Sequence, residues 1–233
     1  MDTLIDDLVT ANHILYREGV VDGFGHVSVR SATDPERFFL ARSIAPDNVT
    51  AADIMEFGLD SEPIDPQSRR VYLERFIHGA IYRARPDVAA IVHSHSPAVI
   101  PFGVTATPLQ PVSHMGGFLG TSTPVFEIRD AAGPKSDMLI RSPELGAALA
   151  RTLGPAPFAL MRGHGSVAVG GSLKQVVFRA IYAEANARLQ SDAMKLGAVT
   201  FLNEHEAANT AAANDVNLDR PWELWKKRVS RPA

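Results

Sequence analysis

Residues 87–100, DVAAIVHSHSPAVI, constrain the fold more than any other stretch of the chain. The continuous apolar run over 88–92 has the length of a strand buried on both faces, so the sheet that holds it must be covered on both sides. Side chains alternate along a strand, which points His93 and His95 the same way and Ser94 the other. Two imidazoles side by side at a strand end can bind one divalent ion from a single direction. They can equally cap the strand by hydrogen-bonding to nearby backbone, and the pair alone leaves both readings open.

The rest of the pattern supplies what such a sheet needs. Residues 2–18 carry apolar positions at helical spacing, with Gly19 as the stop. VVDGFGHVSVR reads as a half-buried strand, with RFFLARS as its hairpin partner. Thr50 is placed to cap a short helix in TAADIMEF, with Asp53 completing a capping box. A long helix is predicted over 67–85, closed by Pro86, and another after Pro97. PLQPVSHMGGFLG is a glycine-rich loop carrying His114, and PVFEI is a strand. Helices follow Ser142 and Ser172, ending at Gly154 and Gly197, and FALMRGHGSVAVGG between them is two strands about a glycine turn. The alternation predicts one α/β domain over 1–233 around a central sheet, with a C-terminal tail from about residue 203.

Composition narrows the partners. The net charge is −3, with no basic run suited to nucleic acid. No cysteine is present, so any metal must rely on histidine, carboxylate or water. MDTLIDDLVT lacks the basic-then-apolar form of a secretion signal, and no apolar stretch approaches membrane-span length. The expectation is a soluble, cytoplasmic protein without a membrane or nucleic-acid partner.

Two more residues join the histidine pair. His164 stands between glycines in RGHGS, flanked by core-like FALM and VAV, so buried strands hold the turn. A third imidazole is what a histidine-based catalytic metal site requires, with one position left for water or substrate. Upstream, Val71, Glu74, His78 and Ile81 fall on one line at three- and four-residue steps, which puts Glu74 inside an apolar stripe. A carboxylate there must be paired, protonated or bound to metal. It is read either as half of a buried salt bridge or as an acid/base beside the metal.

GHVSVR, ERFIHGAIYRARPDVAAIVHSHS and MRGHGSVAVGGSLKQVVFRAIYAE, in that order, resemble the class II aldolase/adducin family over roughly residues 5–200. The resemblance implies an α/β/α sandwich around a largely antiparallel sheet, and a homotetramer with active sites between subunits. It assigns one divalent metal ion to His93, His95 and His164 and the acid/base role to Glu74. Zinc is favoured; three imidazoles also accept manganese, cobalt or iron. Where the sugar-phosphate aldolases of the family carry Gly-Asn-Val-Ser, a Thr-Gly loop and a serine pair before the glutamate, this chain has His26, Arg42 and Ser43, and Tyr72 and Leu73. The phosphate cradle is therefore missing, and the wording of the motifs is closer to the aromatic decarboxylase branch, which includes 3,4-dihydroxyphthalate decarboxylase.

That resemblance implies a carbon–carbon lyase that decarboxylates a small hydroxy-aromatic or heteroaromatic acid. Both retro-aldol cleavage and decarboxylation leave an electron pair on carbon, which a metal-held oxygen stabilises as an enolate. Glu74 or His114 would deliver the proton to the ring carbon. His26, Ser28, Arg42, Ser43 and Arg162 are the candidate substrate contacts, the arginines because they hold carboxylates bidentately. The alternatives are an aldolase or epimerase acting on a small hydroxy acid or sugar, and an adducin-like binding domain without catalysis. In the tail, Trp222 and Trp225 share one face of a short helix opened by Pro221. So near a chain end they are read as interface anchors, or as a tail folded back on its own subunit.

Overall fold

A computed structural model of the chain describes residues 2–230. In chain order the regular elements are α1 (Asp2–Arg17), β1 (His26–Arg30), β2 (Arg37–Ala41), β3 (Ile54–Gly58), α2 (Phe76–Ala84), β4 (Ala90–Ser94), α3 (Ile100–Val104), β5 (Val125–Phe126), α4 (Arg129–Ala132), α5 (Pro143–Leu153), β6 (Phe158–Met161), β7 (Gly165–Gly170), α6 (Leu173–Leu196), α7 (Glu204–Asp215) and α8 (Asp219–Val229). The strands form one seven-stranded sheet in the order β3-β2-β1-β4-β7-β6-β5. Every pairing is antiparallel except β5 with β6. The largely antiparallel sheet with flanking helices is the architecture the sequence led us to expect.

β4 is the middle strand, buried at all five positions. Its two faces feed two separate cores. Val92 and Ala90 pack with Leu8 and Ile14 of α1 and Val177 of α6. Ile91 packs with Ile77 and Ile81 of α2 and Leu149 of α5 on the other side. The continuous apolar run of β4 has this cause: neither face meets water. β1 departs from expectation for the same reason. It was read as half-buried, but α2 covers its second face, and four of its five residues are buried.

Three local readings are corrected. Thr50 and Asp53 do form a capping box, but the helix is one 3-10 turn, Ala51–Asp53, and Ile54 starts β3. Its β-branched and aromatic residues pair in register with β2, where a helix would leave that sheet edge bare. The long helix over 67–85 is only its second half. Gln67 and Ser68 have positive φ, Leu73–Arg75 is a 3-10 turn, and regular helix begins at Phe76. The glycine-rich segment bearing His114 is a packed 3-10 stretch, His114–Leu119, not a mobile loop. A Cβ on Gly116 would lie 2.4 Å from Asn186 Oδ1 of α6, and one on Gly117 would lie 2.0 Å from Thr210 Oγ1 of α7. Those glycines permit close packing.

Of the two readings of the tail, the one folded back on its own subunit holds. Trp222 and Trp225 are buried in their own subunit's core with Leu8 and Ala11, and Trp225 lies 6.3 Å from the Tyr182 ring. Lys226 and Arg228 pair with Asp7 of α1 and with Glu18 just after it, so the basic turn clamps α8 onto the first helix. A terminal helix reaches the core because α1 and α6 leave an apolar seam that it closes. Trp222→Ala should lower the unfolding free energy by about 3–5 kcal/mol in denaturant titration. Lys227→Ala on the exposed face should change it by less than about 0.5 kcal/mol.

Candidate metal centre

Glu74, His93, His95 and His164 each offer one ligand atom, and these atoms lie within 4.8 Å of one another. His95 Nε2 is 3.2 Å from His93 Nε2 and 3.0 Å from His164 Nε2. Glu74 Oε2 is 3.4 Å from the Nε2 atoms of His93 and His164. Three chain segments meet here. β4 and the residue after it supply His93 and His95, and the β6–β7 turn supplies His164. Gly163 has φ +64°, and a Cβ on Gly165 would stand 2.0 Å from the Ser94 carbonyl oxygen. The turn can therefore press His164 against the end of β4.

For two of the rings the back side sets the front side. His93 Nδ1 donates to the Ser166 carbonyl at 3.1 Å, and His164 Nδ1 donates to the Met138 carbonyl at 2.9 Å. With those protons on Nδ1, both Nε2 atoms carry lone pairs toward the centre. Met138 holds its carbonyl there in a left-handed conformation, φ +70°, which a non-glycine residue adopts at a cost. Burial, then the neighbouring His93 and His164, push His95 down to about 4, so this ring is neutral near pH 7. The donor set fits a divalent ion. A tetrahedral zinc bound at about 2.0–2.1 Å keeps its nitrogens about 3.3–3.4 Å apart, close to the observed spacing.

Glu74 enters from the 3-10 turn ahead of α2, with φ −91° and ψ 18°, not from a helical stripe. This is the sparsely allowed bridge region where active-site residues recur. The Ile140 N–H donates to Oε1 at 2.9 Å, which leaves Oε2 to face the imidazoles. Burial raises the Glu74 pKa, but the facing imidazoles of His93 and His164 favour the ionised form and outweigh it, holding the carboxyl well below the usual carboxylate range.

A cavity of about 240 Å³ opens over this cluster, lined by Phe24, His26, Ser43, Tyr72, Leu73, Leu139 and three of the clustered donors, Glu74, His93 and His95. That is the small end of small-molecule sites. His26 packs against Tyr72 in a tilted contact with centroids 4.6 Å apart, and the Tyr72 hydroxyl donates to the Ile44 carbonyl. A roomier apolar recess between α2 and α5 holds none of the converging donors, so chemistry and not size selects the cavity at the cluster.

The other candidates fall elsewhere. Ser28 is fully buried and bonded to His78 and Tyr82, so it cannot touch a ligand in the cavity. Arg42 is paired with Asp53 at 2.6 Å, and Arg162 with Glu127 at 2.5 Å, each drawn off by a carboxylate. His114 is exposed, with its carbonyl accepting from Asn214, and lies outside this cavity's lining. Two residues escaped sequence reasoning. His78 lies on the helical line of Glu74 but had no role there, yet its ring bonds to both His26 and Ser28. Glu184 of α6 accepts from Ser96 and, at 2.9 Å, from the Ala98 N–H, so it braces the segment after His95. A carboxylate amid the apolar positions of α6 was the available signal.

Comparison with known proteins places these features. Residues 6–191 match the family model described as Class II Aldolase and Adducin N-terminal domain. Decarboxylase tropJ of Talaromyces stipitatus is 39% identical over 95% of this chain and 92% of its own. A 3,4-dihydroxyphthalate decarboxylase of Arthrobacter keyseri is 29% identical over 82% of this chain and 78% of its own. Among solved structures, an L-fuculose 1-phosphate aldolase from Glaciozyma antarctica PI12 superposes with a TM-score of 0.79 at 22% identity, covering 97% of this chain and 88% of that one. At that identity the likeness speaks for the fold alone.

Burial, followed by the charges of neighbouring histidines, lowers His78 to about 3 and His26 well below the ordinary imidazole value. Unfolding releases both rings to titrate near 6.5, so below that pH the unfolded chain binds protons that the folded chain refuses. Stability is therefore complete above about pH 6.5 and declines as pH falls toward about 3, by about 1.4 kcal/mol per pH unit for each ring. Urea unfolding of the metal-free protein between about pH 7.5 and 4.5 should follow this slope, and His78→Gln should make it shallower.

Proposed function

The chain belongs to the class II aldolase and adducin N-terminal domain family, and from that premise we propose that it is a divalent-metal-dependent carboxy-lyase acting on a small hydroxy-aromatic or heteroaromatic acid. The observation that carries this reading is the wall of the cavity. Phe24, His26, Tyr72, Leu73 and Leu139 present flat and apolar surfaces next to the donor cluster. An aromatic ring is accommodated by such a wall. A sugar phosphate needs small hydroxyls and free backbone N–H groups, and here the Ser43 N–H is already given to the Arg70 carbonyl. The similarity to proteins described as decarboxylases supports the same choice over an aldolase.

His93, His95 and His164 would hold the ion, with zinc favoured, and when bound it supplies Lewis-acid stabilisation of the electron pair left on carbon as CO2 departs. Glu74 does the proton work. Its ionised Oε2 accepts the proton of the substrate hydroxyl and returns it to the ring carbon, where the bond to the carboxylate breaks and its electron pair stays behind. The deprotonated hydroxyl takes a solvent proton on release, so one carboxylate and one proton yield one C–H bond and one CO2. The Ile140 N–H keeps Glu74 aimed through this exchange. Phe24 and Leu73 stand exposed at the mouth of the cavity, where an entering aromatic ring would cover them.

Metal analysis after dialysis should find one divalent ion per subunit in the parent protein, and His93→Ala should lose most of it. Full retention in that variant would remove the assignment. Glu74→Gln should keep fold and metal and lose turnover by about a hundredfold or more. CO2 release from a panel of hydroxyphthalates, measured beside retro-aldol cleavage of ketose and aldose phosphates, tests the reaction class. Faster cleavage of a sugar phosphate would replace the decarboxylase reading with the aldolase one.

A further inference from the structure

Behind the cavity wall, four buried polar side chains form an unbranched chain. Tyr82 Oη lies 2.8 Å from Ser28 Oγ, Ser28 Oγ lies 2.6 Å from His78 Nδ1, and His78 Nε2 lies 2.6 Å from His26 Nδ1. None of these residues is more than 5% exposed. The register of β1 against β4 sets His26 opposite His93, which brings the open end of the chain to the donor cluster. At the closed end, the Tyr82 hydroxyl has Ser28 as its one hydrogen-bond partner among the described residues.

That closed end gives the chain a direction. If Tyr82 donates, Ser28 donates to His78 Nδ1, His78 donates from Nε2 to His26 Nδ1, and every proton has an acceptor. If the chain runs the other way, His26 donates from Nδ1, His78 donates to Ser28, Ser28 donates to Tyr82, and the phenolic proton is left buried without an acceptor. Such an orphan costs far more than a hydrogen bond returns. The first direction places the one N–H of a neutral His26 on Nε2. His26 Nδ1 is turned inward to His78, so Nε2 faces the cavity that the ring lines.

We propose that His26 is a specificity-determining hydrogen-bond donor, presenting Nε2–H to an anionic oxygen of the substrate, a carboxylate or a phenolate. Ser28 and His78 are positioning residues that fix its tautomer, and Tyr82 closes the chain. The Tyr72 ring, tilted 38° against it with centroids 4.6 Å apart, restricts the plane of the His26 ring and so the line along which it donates. A donor here selects an acid over a neutral analogue, because an aromatic aldehyde or alcohol offers a weaker acceptor. Only the identity of the accepted oxygen rests on the decarboxylase reading; the direction of the chain is independent of it.

Nitrogen-15 NMR of histidine-labelled, zinc-loaded protein reads the tautomers directly, with His26 and His78 assigned by single substitution. We expect His26 Nε2 and His78 Nε2 protonated and both Nδ1 atoms bare. A proton on His26 Nδ1 overturns the proposal. Ser28→Ala removes the link that transmits direction and should give a mixture of His26 tautomers. Tyr82→Phe should preserve the parent tautomer, because the Ser28 proton still has only His78 to accept it. A merely structural role would not separate those two variants in this way. Phthalate, an aromatic diacid without the hydroxyls, serves as the calorimetric probe. His26→Leu should weaken its binding by about 10- to 100-fold at unchanged zinc content. Equal affinity in that variant overturns the donor role. Failure of the parent protein to bind phthalate counts against the substrate class alone, and the tautomer measurement then decides the direction of the chain.

Discussion

Three imidazole nitrogens and a carboxylate oxygen face one another across 3.0–3.4 Å with no protein donor between them. Left to themselves these lone pairs would turn away. Three of the four are held from behind: His93 by the Ser166 carbonyl, His164 by the Met138 carbonyl, Glu74 by the Ile140 N–H. The anchors are backbone groups of strand β7 and of the segment before α5, which the sheet and its two cores hold rigid. The same arrangement that is unfavourable among the side chains alone is favourable around a divalent cation.

The antiparallel sheet makes this convergence possible. β4 pairs on both sides, with β1 and β7, and its histidine end abuts the ends of both neighbours. His26 therefore stands across from His93, and His164 stands beside His95, though the pairs are 67 and 69 positions apart in the chain. α2 then crosses the far face of β1 and inserts His78 and Tyr82 between the strand and the second core. A polar chain so enclosed must satisfy every proton internally, and that requirement orients a ring whose other edge meets the substrate cavity.

Much of the architecture is written in local pattern. The 88–92 run predicts a central strand, and β4 is central. Ser142 and Ser172 predict helix starts, and each accepts a hydrogen bond from the N–H three residues on. The failures come where tertiary contacts override propensity. TAADIMEF has helical capping chemistry, but the free edge of β2 recruits Ile54 onward as a strand. The half-buried alternation of β1 is filled in by α2, and the tryptophans near the chain end find a seam between α1 and α6 that no local pattern announces.

For the site, the sequence by itself determined the donor set and its direction: two histidines one strand period apart, a third in a glycine turn and a carboxylate upstream. The histidines are fixed by the period of a strand and the freedom of glycine, which are properties of a few consecutive residues, whereas Glu74 enters from a 3-10 turn that the helical spacing did not show. Tertiary structure alone decided which polar residues reach the cavity. Ser28 and Arg162 have the chemistry of ligand contacts, but one is sealed under α2 and the other is captured by Glu127. His78 looked like one more residue on a helical stripe and became the link that orients His26. The reason is physical: a hydrogen bond's worth depends on what else its partners can bond to, and that is set by residues distant in sequence.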